Sequence, residues 1–195
     1  MSVLVASGGF NQVGATAAGG EHPRYNSSVL GERDPQDWLL KALRETGNSL
    51  LAELHGIRED QLSWRSSDDE WSLKEIAAHL RDAEELALAQ ITAIAEGAPD
   101  LLPTWDIDVL PLERDYQAAD SPALLAEFRR LRRETTYLLW ALAEADWQRA
   151  GEHPYRGSLS LGQIARELAQ HDLEHLWQVR QLKEQLAEAA RSEEK

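Results

Sequence analysis

The sequence predicts an all-α protein, a four-helix bundle with a long connection between its second and third helices. Three observations predict it. Apolar residues recur at helical spacing in four separate stretches, each stretch carries its own start signal, and no part of the chain shows the paired alternating runs of a β-hairpin. With 195 residues, 43% of them hydrophobic and 28% charged, the chain is long enough to build one domain around its own core.

Residues 1–32 hold six of the twelve glycines without a periodic apolar pattern, and a flexible arm is expected there. The bundle domain is expected over 33–188, with 189–195 as a C-terminal tail. The first helix begins where Asp34 can cap and Pro35 suits the first turn, and Leu39, Ala42, Leu43, Leu50, Leu54 and Ile57 form its stripe. The second begins at EWSLKEIAAHL, where Ser72 and Glu75 make a capping box and Trp71 and Ile76 a hydrophobic staple. Its face runs through Leu80, Ala83, Ala87, Ile91 and Ile94 until Gly97 and Pro99. Residues 97–120 are too long for a tight connection and are expected to cross the bundle and cover one end. Ser121 and Pro122 open the third helix, which runs through Leu124, Phe128, Leu131, Leu138 and Leu142 toward Asp146. The fourth opens at SLGQIAREL, which matches SLKEIAAHL at its Ser, Leu, Ile, Ala and Leu positions.

A formal charge of −14 argues against nucleic acid or an anionic membrane as partner, since both are bound through clustered Lys and Arg. The absence of cysteine excludes disulfides, iron–sulfur sites and a cysteine nucleophile, so any metal must rest on His, Asp or Glu. No leader peptide and no membrane span is recognisable, and a cytoplasmic protein is expected.

The unusual feature is HDLEHLWQV, which sets His171 and His175 four residues apart in an amphipathic helix. At about 100° per residue, Ile164, Leu168, Leu176, Val179 and Leu186 form a stripe that includes His175 and borders His171. Side chains four apart can reach one ion. His79 borders the stripe of the second helix and can project toward the fourth, so three imidazoles can converge, leaving a coordination position open to solvent. His22, His55 and His153 are expected to have surface or packing roles. Asp172 falls near the centre of the stripe, where a carboxylate needs a partner. It either accepts a hydrogen bond from a ligand imidazole and so orients it, or forms a salt bridge to another helix.

Trp105, Asp106, Asp108, Arg114 and Tyr116 on the long segment, with Tyr155 and Arg156 before the fourth helix, are candidates to line a pocket, Arg114 or Arg156 serving as clamp for a carboxylate. The run FRRLRRE, with Arg129, Arg130, Arg132 and Arg133, spreads around its helix beside Glu127 and Glu134 and is expected to be a solvated, ion-paired face. Trp140, Leu173 and Trp177 point away from their stripes and are expected to form a homodimer contact.

Two longer stretches carry a family resemblance: EDQLSWRSSDDEWSLKEIAAHL, and ADWQRAGEHPYRGSLSLGQIARELAQHDLEHLWQV. Over roughly residues 34–188 the chain resembles the DinB/YfiT-like metal-binding four-helix bundles. The resemblance implies that His79, His171 and His175 bind a divalent metal ion. Three imidazoles suit Zn, Ni, Fe and Cu alike. It also implies a metal-dependent enzyme that transfers an exogenous low-molecular-weight thiol to a small electrophilic substrate. The alternatives are metal-dependent hydrolysis and a non-catalytic, metal-stabilised stress-response or binding module.

Overall fold

Gly56 ends the first helix. The computed structural model describes residues 35–97, 101–106 and 109–193, and in it α1 covers Pro35–Leu54. Gly56 follows with φ 73°, the left-handed conformation that closes a helix and that glycine adopts without strain. Ile57, expected within this helix, therefore lies beyond it. A one-turn helix α2 spans Glu59–Leu62.

The second expected helix is α3, Leu73–Ala95. Its capping box forms as expected: Ser72 N–H donates to Glu75 Oε2 at 2.8 Å and Glu75 N–H to Ser72 Oγ at 3.2 Å. A short α4, Leu110–Glu113, and a 3-10 turn at Tyr116–Ala118 interrupt the long connection. The next long helix, α5, is Ser121–Trp140. Its cap is Asp120, which accepts from Ala123 N–H at 2.8 Å, one residue before the Ser121 start expected. It stops at Trp140, and a 3-10 turn at Glu144–Gln148 replaces the expected run toward Asp146.

One element is new. Ala150–His153 (β1) pairs antiparallel with Gly157–Ser160 (β2), Gly151 opposite Leu159. No hairpin was expected, because four-residue strands that bury only Leu159 are too short to show alternation. The hairpin leads into α6, Leu161–Glu193, 33 residues or roughly 50 Å of helix. Ser160 N–H donates to Gln163 Oε1 at 2.8 Å and Gln163 N–H to Ser160 Oγ at 3.2 Å, completing the repeated capping box. This helix continues past residue 188, where the tail was expected to begin. The arm expected over 1–32, with His22, the Asp34 cap and Asp108, falls outside the described residues.

The four long helices form a bundle in which α1 packs on α5 and α6, and α3 packs on the same two. Hence α1 and α3 face each other across one diagonal and α5 and α6 across the other. Two apolar clusters fill the interior. One gathers Leu50, Ile76, Leu80, Phe128, Leu176 and Val179, the other Leu43, Ile91, Leu139, Leu161, Ile164 and Leu168. Thr46, Glu84, Arg132 and Asp172, all buried, lie between the two clusters along their respective helices. No helix among the described residues is long and apolar enough to cross a membrane.

Candidate metal centre

α3 and α6 are neighbours, and their shared face holds the three histidines. His79 is buried between Ile76 and Leu80, while His171 and His175 sit one turn apart on α6 and are half-buried. The Nε2 atoms of His79 and His171 are 2.9 Å apart, and those of His171 and His175 3.1 Å. Two imidazoles that ligate one ion at about 2.0–2.1 Å in a tetrahedral arrangement have nitrogens roughly 3.3 Å apart. The cluster is thus close to the spacing an ion requires, and one ligand atom from each residue lies within 4.8 Å of the others.

Protonation favours the same use. Burial, then the proximity of the other two imidazoles, lowers His79 to about 3. Burial and His175 lower His171 to about 4, and burial lowers His175. All three are neutral at pH 7 and offer lone pairs. Gln178 Oε1 lies 2.8 Å from His175 Nδ1, so with Nδ1–H donating to it, Nε2 is left as the acceptor that faces the cluster. His79 and His171 have buried Nδ1 atoms without a partner among the described residues. Packing orients them instead, Trp71 meeting the His79 ring at 5.0 Å between centroids. The donor set fits a divalent cation.

This titration has a consequence for stability. The unfolded chain takes up protons near the ordinary histidine value of 6.5, whereas folded His79 and His171 resist protonation down to about 3 and about 4. The stability of the metal-free protein should therefore be full above pH 6.5 and be lost as the pH falls toward 4, by on the order of a few kcal/mol. Urea midpoints at pH 7.5 and pH 5 measure it. The His79→Ala/His171→Ala variant should show a flatter profile, and equal slopes would contradict the assignment.

Asp172 does not orient an imidazole. Its Oδ2 accepts from Thr46 Oγ1 at 2.8 Å and from Arg132 Nη1 at 2.5 Å, and its Oδ1 from Arg132 Nη2 at 3.0 Å. Of the two alternatives for Asp172 the salt bridge is the one formed, and its carboxylate is held in the bundle interior instead of against an imidazole. Arg132 also donates from Nε to Glu84 Oε2 at 2.8 Å and from Nη1 to the Leu43 carbonyl at 2.8 Å. One guanidinium from α5 thus binds α1, α3 and α6 together, on the two helices that carry the histidines. Arg132 is 5% exposed, which corrects the solvated role expected for this member of FRRLRRE; Arg130 does pair with Glu134 on the surface. The missed signal was the matching polar residue at a stripe position on each of the other three long helices: Thr46, Glu84 and Arg132.

Gly47 makes room for this guanidinium. A Cβ there would stand 3.1 Å from Arg132 Nη1 and 3.2 Å from Arg132 Cγ, and Arg132 is held by too many bonds to move aside. Gly47→Ala should gain up to about 1 kcal/mol of helix propensity but lose more to the clash. A net destabilisation of about 1 kcal/mol in urea unfolding is expected; a stabilised variant would show that the cluster yields.

Beside the histidines, with His175 in its wall, opens a groove of about 820 Å³, whose lining also includes Glu70, Trp71, Trp177, Gln178 and Leu182. None of the described residues expected to line a pocket lines it. Arg114 instead bonds Asp82 at 2.6 Å and stacks 5.2 Å from the Trp105 ring. The Tyr116 hydroxyl donates to Asp82 at 2.6 Å, Arg156 pairs with Glu167, and Tyr155 projects into solvent. The long segment lies along α3, where Gln90 bonds the Pro103 carbonyl and Lys74 the Gln117 carbonyl, both at 2.9 Å. The stretch that approaches the histidines is the one before α3, through Ser66, Glu70 and Trp71. Leu173 and Trp177 are exposed as expected, but they line this groove while Trp140 lines another, so the three do not share one surface. His55 is exposed and His153 lies in β1.

A diagonal four-helix bundle whose α3 and α6 present three neutral imidazoles to one point is a helical scaffold with a donor set that could hold a metal ion. The chain belongs to the DinB superfamily, whose model matches residues 42–179. It is 26% identical over 153 residues to the uncharacterized protein YuaE of Bacillus subtilis, across 70% of this chain and 92% of that one. Among solved structures it is similar to YfiT of Bacillus subtilis, described as a probable metal-dependent hydrolase with an unusual four-helix bundle topology, with TM-score 0.71 and 19% identity over 87% of this chain and 95% of YfiT. The colibactin self-resistance protein ClbS, solved in complex with double-stranded DNA, shares the fold with TM-score 0.60 and 19% identity over 76% of this chain and 94% of ClbS.

Proposed function

We propose that this protein is a divalent-metal-dependent enzyme that acts on a small molecule, with His79, His171 and His175 as the metal ligands and transfer of a low-molecular-weight thiol as the reaction. The observation that carries this reading is the convergence of three neutral Nε2 atoms beside an 820 Å³ groove that includes His175 in its wall. A bound divalent ion would supply Lewis acidity, lowering the pKa of a thiol or a water molecule brought to it. The chain's own residues do the rest. Gln178 holds His175 in one tautomer, Trp71, Trp177 and Leu182 give the substrate an apolar wall and restrict water, and Glu70 and Glu174 are the proton acceptors the groove offers. In the transfer the thiol gives up its proton, its sulfur bonds to an electrophilic carbon, and the leaving group departs with the electrons of the broken bond. The acidic groove and the formal charge of −14 support a small substrate over nucleic acid.

Hydrolysis is the second reading, and the description of YfiT favours it. The two are separated by assaying metal-loaded protein, chelator-treated protein and His79→Ala with a thiol plus an electrophile, and with ester and amide panels without thiol. Thiol-dependent turnover that tracks metal content and is greatest well below the free thiol's pKa of about 8.5 supports the first reading. Thiol-independent turnover that tracks metal supports hydrolysis, and inertness toward both overturns the enzyme.

A further inference from the structure

Arg133 of the basic run of α5 and the exposed Trp140 take no part in the site above, yet the fold sets them in one groove. Between α1 and α5, which pack side by side, lies a groove of about 480 Å³ lined by Lys41 and Arg44 of α1 and by Arg133, Tyr137 and Trp140 of α5. That volume suits a small molecule. The charge of the groove opposes that of the chain: against a formal −14, three of its lining residues are cationic and Asp37 is its one carboxylate.

Most arginines among the described residues are paired with carboxylates, as in Arg58–Asp60, Arg114–Asp82, Arg156–Glu167 and Arg180–Glu53. Arg44 and Arg133 form no salt bridge among the described residues and are exposed, although acids are in excess. Beside them, Tyr137 and Trp140 are each 69% exposed, with ring centroids 6.0 Å apart. A solvated helix face needs neither exposed rings nor unpaired guanidiniums in one concavity. A guanidinium fork matches a carboxylate or phosphate, and an aromatic face accepts a planar ring.

We propose that this groove is a second binding site, for a small aromatic anion whose carboxylate or phosphate is taken by Arg44 and Arg133 and whose ring lies against Tyr137 and Trp140. The site is independent of the metal reading. Isothermal titration of the full chain, freed of metal by chelator, with 1-naphthyl phosphate and with uncharged 1-naphthol tests it. The phosphate should bind at least about tenfold more tightly than the naphthol, and less tightly as salt is raised. Arg44→Gln/Arg133→Gln should weaken phosphate binding by about tenfold without moving the melting temperature or the metal content. Arg129→Gln/Arg166→Gln, an equal charge change on exposed arginines outside this groove, should leave it intact. Equal binding of the two ligands, full affinity in the Arg44/Arg133 variant, or equal weakening in both double variants would overturn the proposal.

Discussion

Arg132→Ala should destabilise the metal-free protein by about 3–5 kcal/mol, the largest effect expected of any single substitution in the bundle. The reason lies in what stays behind. Glu84 and Asp172 are each 0% exposed, and removal of the guanidinium leaves two carboxylates in a dry interior with Thr46 as the other side-chain donor to Asp172. Burial alone opposes a charged Arg132, but Glu84 and Asp172 outweigh it and raise its pKa further above the ordinary arginine value, so the cluster is held as an ion pair. At roughly 2–4 °C per kcal/mol for a chain of this size, a fall of about 10 °C in melting temperature follows. A companion variant separates the charge effect from packing: Arg132→Met/Glu84→Leu/Asp172→Asn replaces the cluster by groups of similar size and should recover most of the loss. A single-variant loss below about 1 kcal/mol would show that water reaches this layer. Because Glu84 and Asp172 sit on the helices that carry the histidines, Arg132→Ala should also weaken metal binding.

On the proposed assignment, His171→Ala should abolish stoichiometric metal binding, lowering affinity by at least about a hundredfold, since the His171 Nε2 lies within hydrogen-bond distance of the Nε2 atoms of both His79 and His175. His79→Ala and His175→Ala should do the same. Stability without metal should change little on removing His171, because its Nδ1 is buried without a partner and an alanine relieves that cost. Metal analysis after exhaustive dialysis, together with competition against a chromophoric chelator, reads the effect. Wild-type protein should gain a few kcal/mol from saturating metal through binding to the folded state alone, and His171→Ala should gain none. If all three alanine variants kept full metal content, the ion would have to be held elsewhere.

Local rules were enough for much of this molecule. The Ser72 and Ser160 capping boxes mark helix starts through bonds that span three residues, and the four apolar stripes follow from the 3.6-residue repeat, so both are written in neighbouring letters of the sequence. His79, His171 and His175 were legible for the same reason: two lie one turn apart, and the third sits on a stripe edge. The hairpin at 150–160 was not, its four-residue strands being too short to have a period. What required the tertiary structure was pairing at long range. Only the diagonal packing shows that Asp172 meets Arg132, 40 residues away, rather than an imidazole, and that the wall of the groove comes from the stretch before α3 instead of the long segment. The periodicity of a helix says which residues face inward. It carries no information on which inward-facing charge lies opposite which, because that depends on the rotation and neighbours of four helices at once.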